Sequence, residues 1–213
     1  MSASMPGPDI RTSALIVVDM QNDFVHPEGH FSYVARQFPE RNIDMAFLTS
    51  SVGPVKRLVD AFRSAEQPVI FLTHVVKPDY SDAQFPYWRG TRPSDNRTFI
   101  VEGTWGARIV DELAPLEHEH VVVKKGYGGF SNTPLDTILR NKGVTTCVVA
   151  GVTTGVCVST TVRGGVEHNY RMVLVPDAVA EGRRELSEAE ITILGRAFAD
   201  LKTVDEVIAL LAA

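Results

Sequence analysis

The stretch Ala14-Leu15-Ile16-Val17-Val18-Asp19 sets five apolar residues in an unbroken row and closes them with a carboxylate. A strand with one face in water alternates apolar and polar residues. A row without alternation suits a strand covered on both faces, as in a parallel sheet. Four further Val- and Ile-rich runs share this character: Val69–Leu72, His120–Val123, Thr146–Ala150 and Met172–Val175. Helical spacing lies between them. Val55, Leu58, Val59 and Phe62 stand at i, i+3, i+4 and i+7, with Pro54 suited to a first turn. Leu135, Ile138 and Leu139 repeat the pattern behind Thr133 as N-cap and Pro134. Ser187 and Glu190 have capping-box spacing and open a predicted helix that ends at Phe198. Val204–Leu211 reads as a last short helix. Strand and helix therefore alternate. The pattern predicts an α/β fold: a three-layer, doubly wound, mostly parallel sheet of about six strands with helices on both faces.

The chain has 213 residues, 44% of them apolar and 22% charged, which fits a globular protein with a sizeable core. We expect a flexible arm over residues 1–12 and a single domain over 13–213, because no linker or internal repeat divides the rest. The arm holds Pro, Gly, Ser and one Arg without the charged-then-apolar order of a secretory signal, so a cytoplasmic location is expected. A net charge of −5 argues against nucleic acid as the partner. No apolar run approaches the ~20 residues that cross a bilayer, so no membrane partner is expected. The two cysteines, Cys147 and Cys157, are expected to stay reduced. One long irregular insert runs from about Lys77 to Gly103 and carries Tyr80, Phe85, Tyr87, Trp88, Arg89 and Arg92. It is either a specificity loop or a subunit contact.

In open parallel sheets, ligands bind beyond the carboxyl ends of the strands. The first strand ends on Asp19, the third on Lys124, and the fourth runs through Gly151-Val152-Thr153-Thr154-Gly155-Val156 to Cys157. A carboxylate, an ammonium and a thiol are thus expected on one edge. Cys157 falls in or beside a first helical turn, where unsatisfied N–H groups favour a thiolate; equally, a free cysteine is often a small buried hydrophobe. Cys147 lies inside a strand and reads as the latter. Asp19 would accept the thiol proton, and Lys124 would favour the charged forms. His74, at the end of the second strand, is either a substrate contact or a solvated strand end.

Three segments carry a resemblance: Ala-Leu-Ile-Val-Val-Asp-Met-Gln-Asn-Asp-Phe at 14–24, Val-Lys-Lys-Gly-Tyr-Gly-Gly-Phe at 123–130 and Gly-Val-Thr-Thr-Gly-Val-Cys-Val at 151–158. Together they resemble the isochorismatase-like cysteine hydrolase family, from about Ser13 to Leu211. The resemblance implies a catalytic triad of Asp19, Lys124 and Cys157, with Lys125 as the competing lysine. It also implies a cis peptide at Val152–Thr153 and an oxyanion hole formed by the backbone N–H groups of Thr153 and Cys157. Gly103-Thr104-Trp105-Gly106, Asn132-Thr133-Pro134-Leu135-Asp136 and Val158-Ser159-Thr160-Thr161 are most similar to the branch acting on ureido and carbamoyl compounds, among them ureidoacrylate amidohydrolases, biuret hydrolases and N-carbamoyl amidohydrolases. Nicotinamidase-like and maleamate-type amidases of the same family are the alternatives. The implied activity is a cysteine amidohydrolase cleaving the C–N bond of a small ureido, carbamoyl or amide compound with release of ammonia. Phe24, His74, Trp88, Arg89 and Tyr127 are the pocket candidates. The family's nicotinamidases carry an Asp–x–His metal arrangement after the second strand, whereas this chain reads Thr73-His74-Val75-Val76-Lys77-Pro78-Asp79. We therefore expect no metal and no cofactor. A homo-oligomer, dimer or tetramer, is expected from the family.

Readings from other classes fit less well. A dinucleotide-binding dehydrogenase needs glycines after its first strand, and Asp19–Phe24 has none. An aspartate-based phosphatase expects a second carboxylate where Gln21 stands. A thiol redox sensor would not need Asp19 or Lys124, and a non-catalytic interaction module would not need the triad.

Overall fold

The computed structural model describes residues 9–84 and 98–212. Six strands form one sheet: β1 (Ser13–Val18), β2 (Val69–His74), β3 (His120–Lys124), β4 (Thr146–Val152), β5 (Arg171–Ala180) and β6 (Asp200–Leu201). Their order is β3-β2-β1-β4-β5-β6, and every pairing is parallel. The helices are α1 (Asn22–Val25), α2 (His30–Gln37), α3 (Met45–Ser50), α4 (Val52–Ser64), α5 (Leu135–Asn141), α6 (Ser159–Glu167), α7 (Arg184–Ala197) and α8 (Val204–Leu211). None of them is long and apolar enough to cross a membrane.

The unbroken apolar row of β1 is explained by its neighbours. Leu15 and Val17 enter a core with Val55, Leu58, Val59 and Phe62 of α4 and Val204 and Val207 of α8. Ala14, Ile16 and Val18 enter a second core with Leu135 and Leu139 of α5, Val162 of α6 and Leu194 of α7. All four predicted α4 residues are fully buried, and each such side chain contributes about 1.5–3 kcal/mol. The edge strand differs from expectation. Val122 and Lys124 of β3 are buried, but Val121 and Val123 are exposed, because no second strand or helix covers that face among the described residues.

Two helix starts also differ. The helix expected from Ser187 begins at Arg184, and Ser187 is buried within it. The capping box instead opens α8: the Thr203 hydroxyl accepts from the Glu206 N–H at 3.2 Å, and the Glu206 carboxylate accepts from the Thr203 N–H at 2.7 Å. At α5 the cap position is Pro134, while the Thr133 hydroxyl accepts from the Leu135 N–H at 3.2 Å.

Gly151 lies near the carboxyl end of β4, still paired with both neighbouring strands. Its register with β5 shifts there, its φ is +117°, and an added Cβ would lie 2.1 Å from the Val18 carbonyl oxygen. Overlap with backbone combines with a conformation that side chains rarely adopt. Gly151→Ala is expected to lower stability by about 3–5 kcal/mol, read as the shift of a urea unfolding curve.

Candidate active site

Asp19 is the first residue past β1 and sits in the left-handed region at φ 50°. Its N–H still donates to the Leu72 carbonyl at 3.0 Å, so the chain turns sharply while remaining tied to β2. A non-glycine residue held there costs roughly 1–2 kcal/mol and points to a site built for its side chain. Lys124 closes β3, paired in register with His74 of β2, which aims both side chains the same way. Beyond Gly151 the Val152–Thr153 peptide is cis, as the resemblance implies. A single π-helical turn, Thr154–Val158, then carries Cys157 into α6. The N–H groups of Val156 and Val158 both donate to the Thr153 carbonyl, at 3.2 and 3.1 Å.

These three strand ends bring the predicted trio together. Lys124 Nζ lies 2.7 Å from Asp19 Oδ2 and 3.5 Å from Cys157 Sγ, and it donates to the Gly126 carbonyl at 3.1 Å. Asp19 and Lys124 are fully buried and Cys157 nearly so. Lys125 faces elsewhere: its ammonium pairs with Asp82 at 2.7 Å, and its carbonyl accepts from the Gln84 N–H. Of the two competing lysines, Lys124 is the one in the site.

Burial raises the Asp19 pKa above the ordinary carboxylate range, and the Lys124 charge offsets only part of that rise. Burial pulls Lys124 down, but the Asp19 charge beside it outweighs that, so its ammonium is held above the usual value. Cys157 departs from the sequence expectation. Burial first, and then the Asp19 charge, push its thiol up, against the opposing pull of Lys124. At rest Cys157 is therefore a protonated thiol. Asp19 Oδ2 meets the Lys124 ammonium at 2.7 Å, and hydrogen bonds from Lys124, Cys157 and the His74 backbone work against the rise in its pKa. The carboxylate is held by charge and keeps acceptor capacity for the thiol proton.

His74 joins this group. Its ring nitrogen, an Asp19 oxygen and Cys157 Sγ all lie within 4.8 Å of one another, and Tyr127 meets the imidazole edge-on at 6.2 Å between centroids. Imidazole, carboxylate and thiol are metal-ligand types. The Lys124 ammonium already places a positive charge among them, which disfavours a second cation there. Burial first, then the Lys124 charge, push the His74 pKa down to about 3. The folded state thus resists a proton that the unfolded chain takes up near pH 6.5, so stability falls as pH drops through the window from 6.5 to about 3. Wild type should lose on the order of 1 kcal/mol per pH unit in that window through this residue. His74→Asn should lack this component, which urea unfolding at pH 7 and pH 5 will show.

The remaining pocket candidates divide. Tyr127 is half-buried beside His74. Phe24, on α1, packs into the core with its ring against Phe31 and Phe99 at 5.1 and 5.3 Å. Trp88 and Arg89 lie outside the described residues.

Several polar residues that build the site gave no separate signal in the sequence. Gln21 donates to the carbonyls of His74 and Ala107 at 3.0 and 2.8 Å and accepts from the His74 N–H at 2.9 Å, clamping the end of β2. Asp23, buried with no cation paired to it among the described residues, accepts from the N–H groups of Ile100 and His30 at 2.7 and 3.2 Å. Burial raises its pKa against those two bonds. Thr161 accepts from the Gly129 N–H at 3.0 Å and donates to the Cys157 carbonyl at 2.7 Å, tying the loop after β3 to the turn after β4.

Comparison with known proteins identifies the family and the fold. The isochorismatase domain family matches residues 13–206. Ureidoacrylate amidohydrolase RutB of Methylorubrum extorquens is 35% identical over 186 residues, spanning 80% of this chain and 70% of that protein. RutB of Yersinia enterocolitica is 32% identical over 187 residues, spanning 83% and 78%. Among solved structures, a cysteine hydrolase from Pseudomonas syringae pv. phaseolicola superposes with a TM-score of 0.82 at 29% identity, covering 100% of this chain and 99% of that one. N-carbamoylsarcosine amidase from Thermoplasma acidophilum superposes at 0.73 with 29% identity, covering 92% and 98%.

Proposed function

Because the chain belongs to the isochorismatase family, we propose that it is a cysteine amidohydrolase cleaving the C–N bond of a small ureido, carbamoyl or amide compound. One observation carries the reading: a buried ammonium held 2.7 Å from a carboxylate and 3.5 Å from a thiol at the carboxyl edge of a parallel sheet. The names of the relatives, a ureidoacrylate amidohydrolase and an N-carbamoylsarcosine amidase, support the ureido and carbamoyl class.

In this reading Asp19 takes the proton of the Cys157 thiol as Sγ attacks the substrate carbonyl. Proton transfer accompanies attack, because the resting thiol is neutral. The Lys124 ammonium stays between the two groups and steadies whichever carries negative charge. The N–H groups of Thr153 and Cys157 receive the developing oxyanion; one such donor is typically worth on the order of 100- to 1000-fold in rate. Asp19 returns the proton to the leaving nitrogen, the C–N bond breaks, and an amine departs, ammonia where the group is terminal. Water, with Asp19 as general base, then opens the Cys157 thioester and restores the thiol. Ammonia release from ureidoacrylate, biuret, an N-carbamoyl amino acid, maleamate and nicotinamide tests the class. The first three should turn over faster than the last two; preference for nicotinamide would overturn the assignment.

A further inference from the structure

The Ser187 and Glu190 spacing that looks like a helix cap serves no cap in the structure. Both side chains reach across to the segment carrying Cys157. The Ser187 hydroxyl meets the Thr154 hydroxyl at 2.8 Å, and both residues are fully buried. Glu190 accepts from the Ser159 hydroxyl at 2.6 Å and from Arg163 at 2.5 Å. A third contact comes from the chain between β5 and α7, where the Glu181 carboxylate accepts from the Gly155 N–H at 2.9 Å and from its neighbour Gly182 N–H at 2.8 Å. Positions 154, 155 and 159 are therefore pinned from one side, and Cys157 lies between them.

We propose that Ser187, through its buried hydroxyl bond to Thr154, is a positioning residue that sets the turn bearing the nucleophile and the amide groups around it. The inference rests on the assignment of Cys157 as the nucleophile. The turn is a single π-helical loop whose own backbone bonds run to the carbonyls of Thr153, Thr154 and Val156, none of which holds the Thr154 side chain. Val156 and Val158 share one acceptor, the Thr153 carbonyl. The Thr154 side chain has its bond partner on α7, and both residues are shut off from bulk solvent. Loss of the Ser187 hydroxyl leaves Thr154 Oγ1 buried without that partner, and the turn must shift to satisfy it. A shift approaching 1 Å in the reacting groups is worth about 100-fold in rate, so a fraction of that shift is enough to be measured.

The test uses the full chain with ureidoacrylate as probe substrate and ammonia as readout, for wild type, Ser187→Ala, Thr154→Val, Thr154→Ser and Cys157→Ala. For Ser187→Ala and Thr154→Val, kcat is expected to fall by about 10- to 100-fold with KM within about 2-fold. Thr154→Ser, which keeps the hydroxyl, is expected to recover most of that loss. If Ser187→Ala does not fold, Thr154→Val and its rescue by Thr154→Ser decide the matter. Folded Ser187→Ala or Thr154→Val with a lowered Tm but unchanged kcat overturns the positioning role and leaves only a structural one. Full turnover by Cys157→Ala overturns the nucleophile assignment itself, and the positioning role with it.

Discussion

Cys157→Ala is expected to lower kcat by about 10,000-fold or more while leaving the protein folded. The size follows from the proposed chemistry. Without Sγ there is no thioester, and the residual rate comes only from binding and the oxyanion donors. The retained fold follows from the site. Cys157 sits in an apolar cluster with Val158, Val162 and Phe130, and its thiol is protonated at rest, so the substitution removes one buried sulfur and no charge. A loss near 1 kcal/mol is expected, which melting curves will register as a small shift. Intact-protein mass spectrometry of wild type quenched during turnover should show the acyl adduct, and Cys157→Ala should show none. Comparable kcat in the two proteins would remove the thiol from the reaction.

Asp19→Asn is expected to damage both activity and stability. Removing the proton acceptor should lower kcat by about 100- to 10,000-fold. It also leaves the Lys124 ammonium at zero exposure with no carboxylate beside it, which typically costs about 3–5 kcal/mol. Lys124→Met should lower kcat as well but destabilise less. The remaining Asp19 already has a raised pKa and can accept a proton in place of its lost partner. The double variant Asp19→Asn/Lys124→Met removes both charges and should regain stability relative to Asp19→Asn without regaining activity. Urea unfolding and ammonia release across the four proteins give the coupling in each quantity. The acid limb of wild-type kcat/KM should lie above the ordinary carboxylate range, because Asp19 must be ionised to accept the proton and its pKa is raised.

Much of this was legible because it depends on local pattern. A strand buried on both faces must be apolar throughout, so β1, β2 and β4 announce themselves. An amphipathic helix must repeat its apolar face every three or four residues, as α4 does with Val55, Leu58, Val59 and Phe62. Charged residues that end such strands stand out because their burial needs a partner, and Asp19 and Lys124 were found that way. Edge position was not legible: Val121 and Val123 look like core until strand order leaves one face of β3 uncovered. The start of α7 is not legible either, because Ser and Glu three apart have the same spacing whether they cap their own helix or reach a neighbouring one.

The alternation of strands and helices, the three strand-end residues and their resemblance to one hydrolase family are all carried by the chain's local pattern. These are properties of neighbours along the chain and of which residue types a buried strand tolerates. Which lysine enters the site, the core position of Phe24 and the protonated resting thiol of Cys157 emerge only once the chain is packed. The packing also reveals the bonds that Gln21, Thr161 and Ser187 make to segments around the site. The physical reason is range. A proton's affinity and a hydrogen bond's partner depend on atoms a few ångströms away, and in this sheet those atoms come from positions as far apart in the chain as 19, 124 and 157.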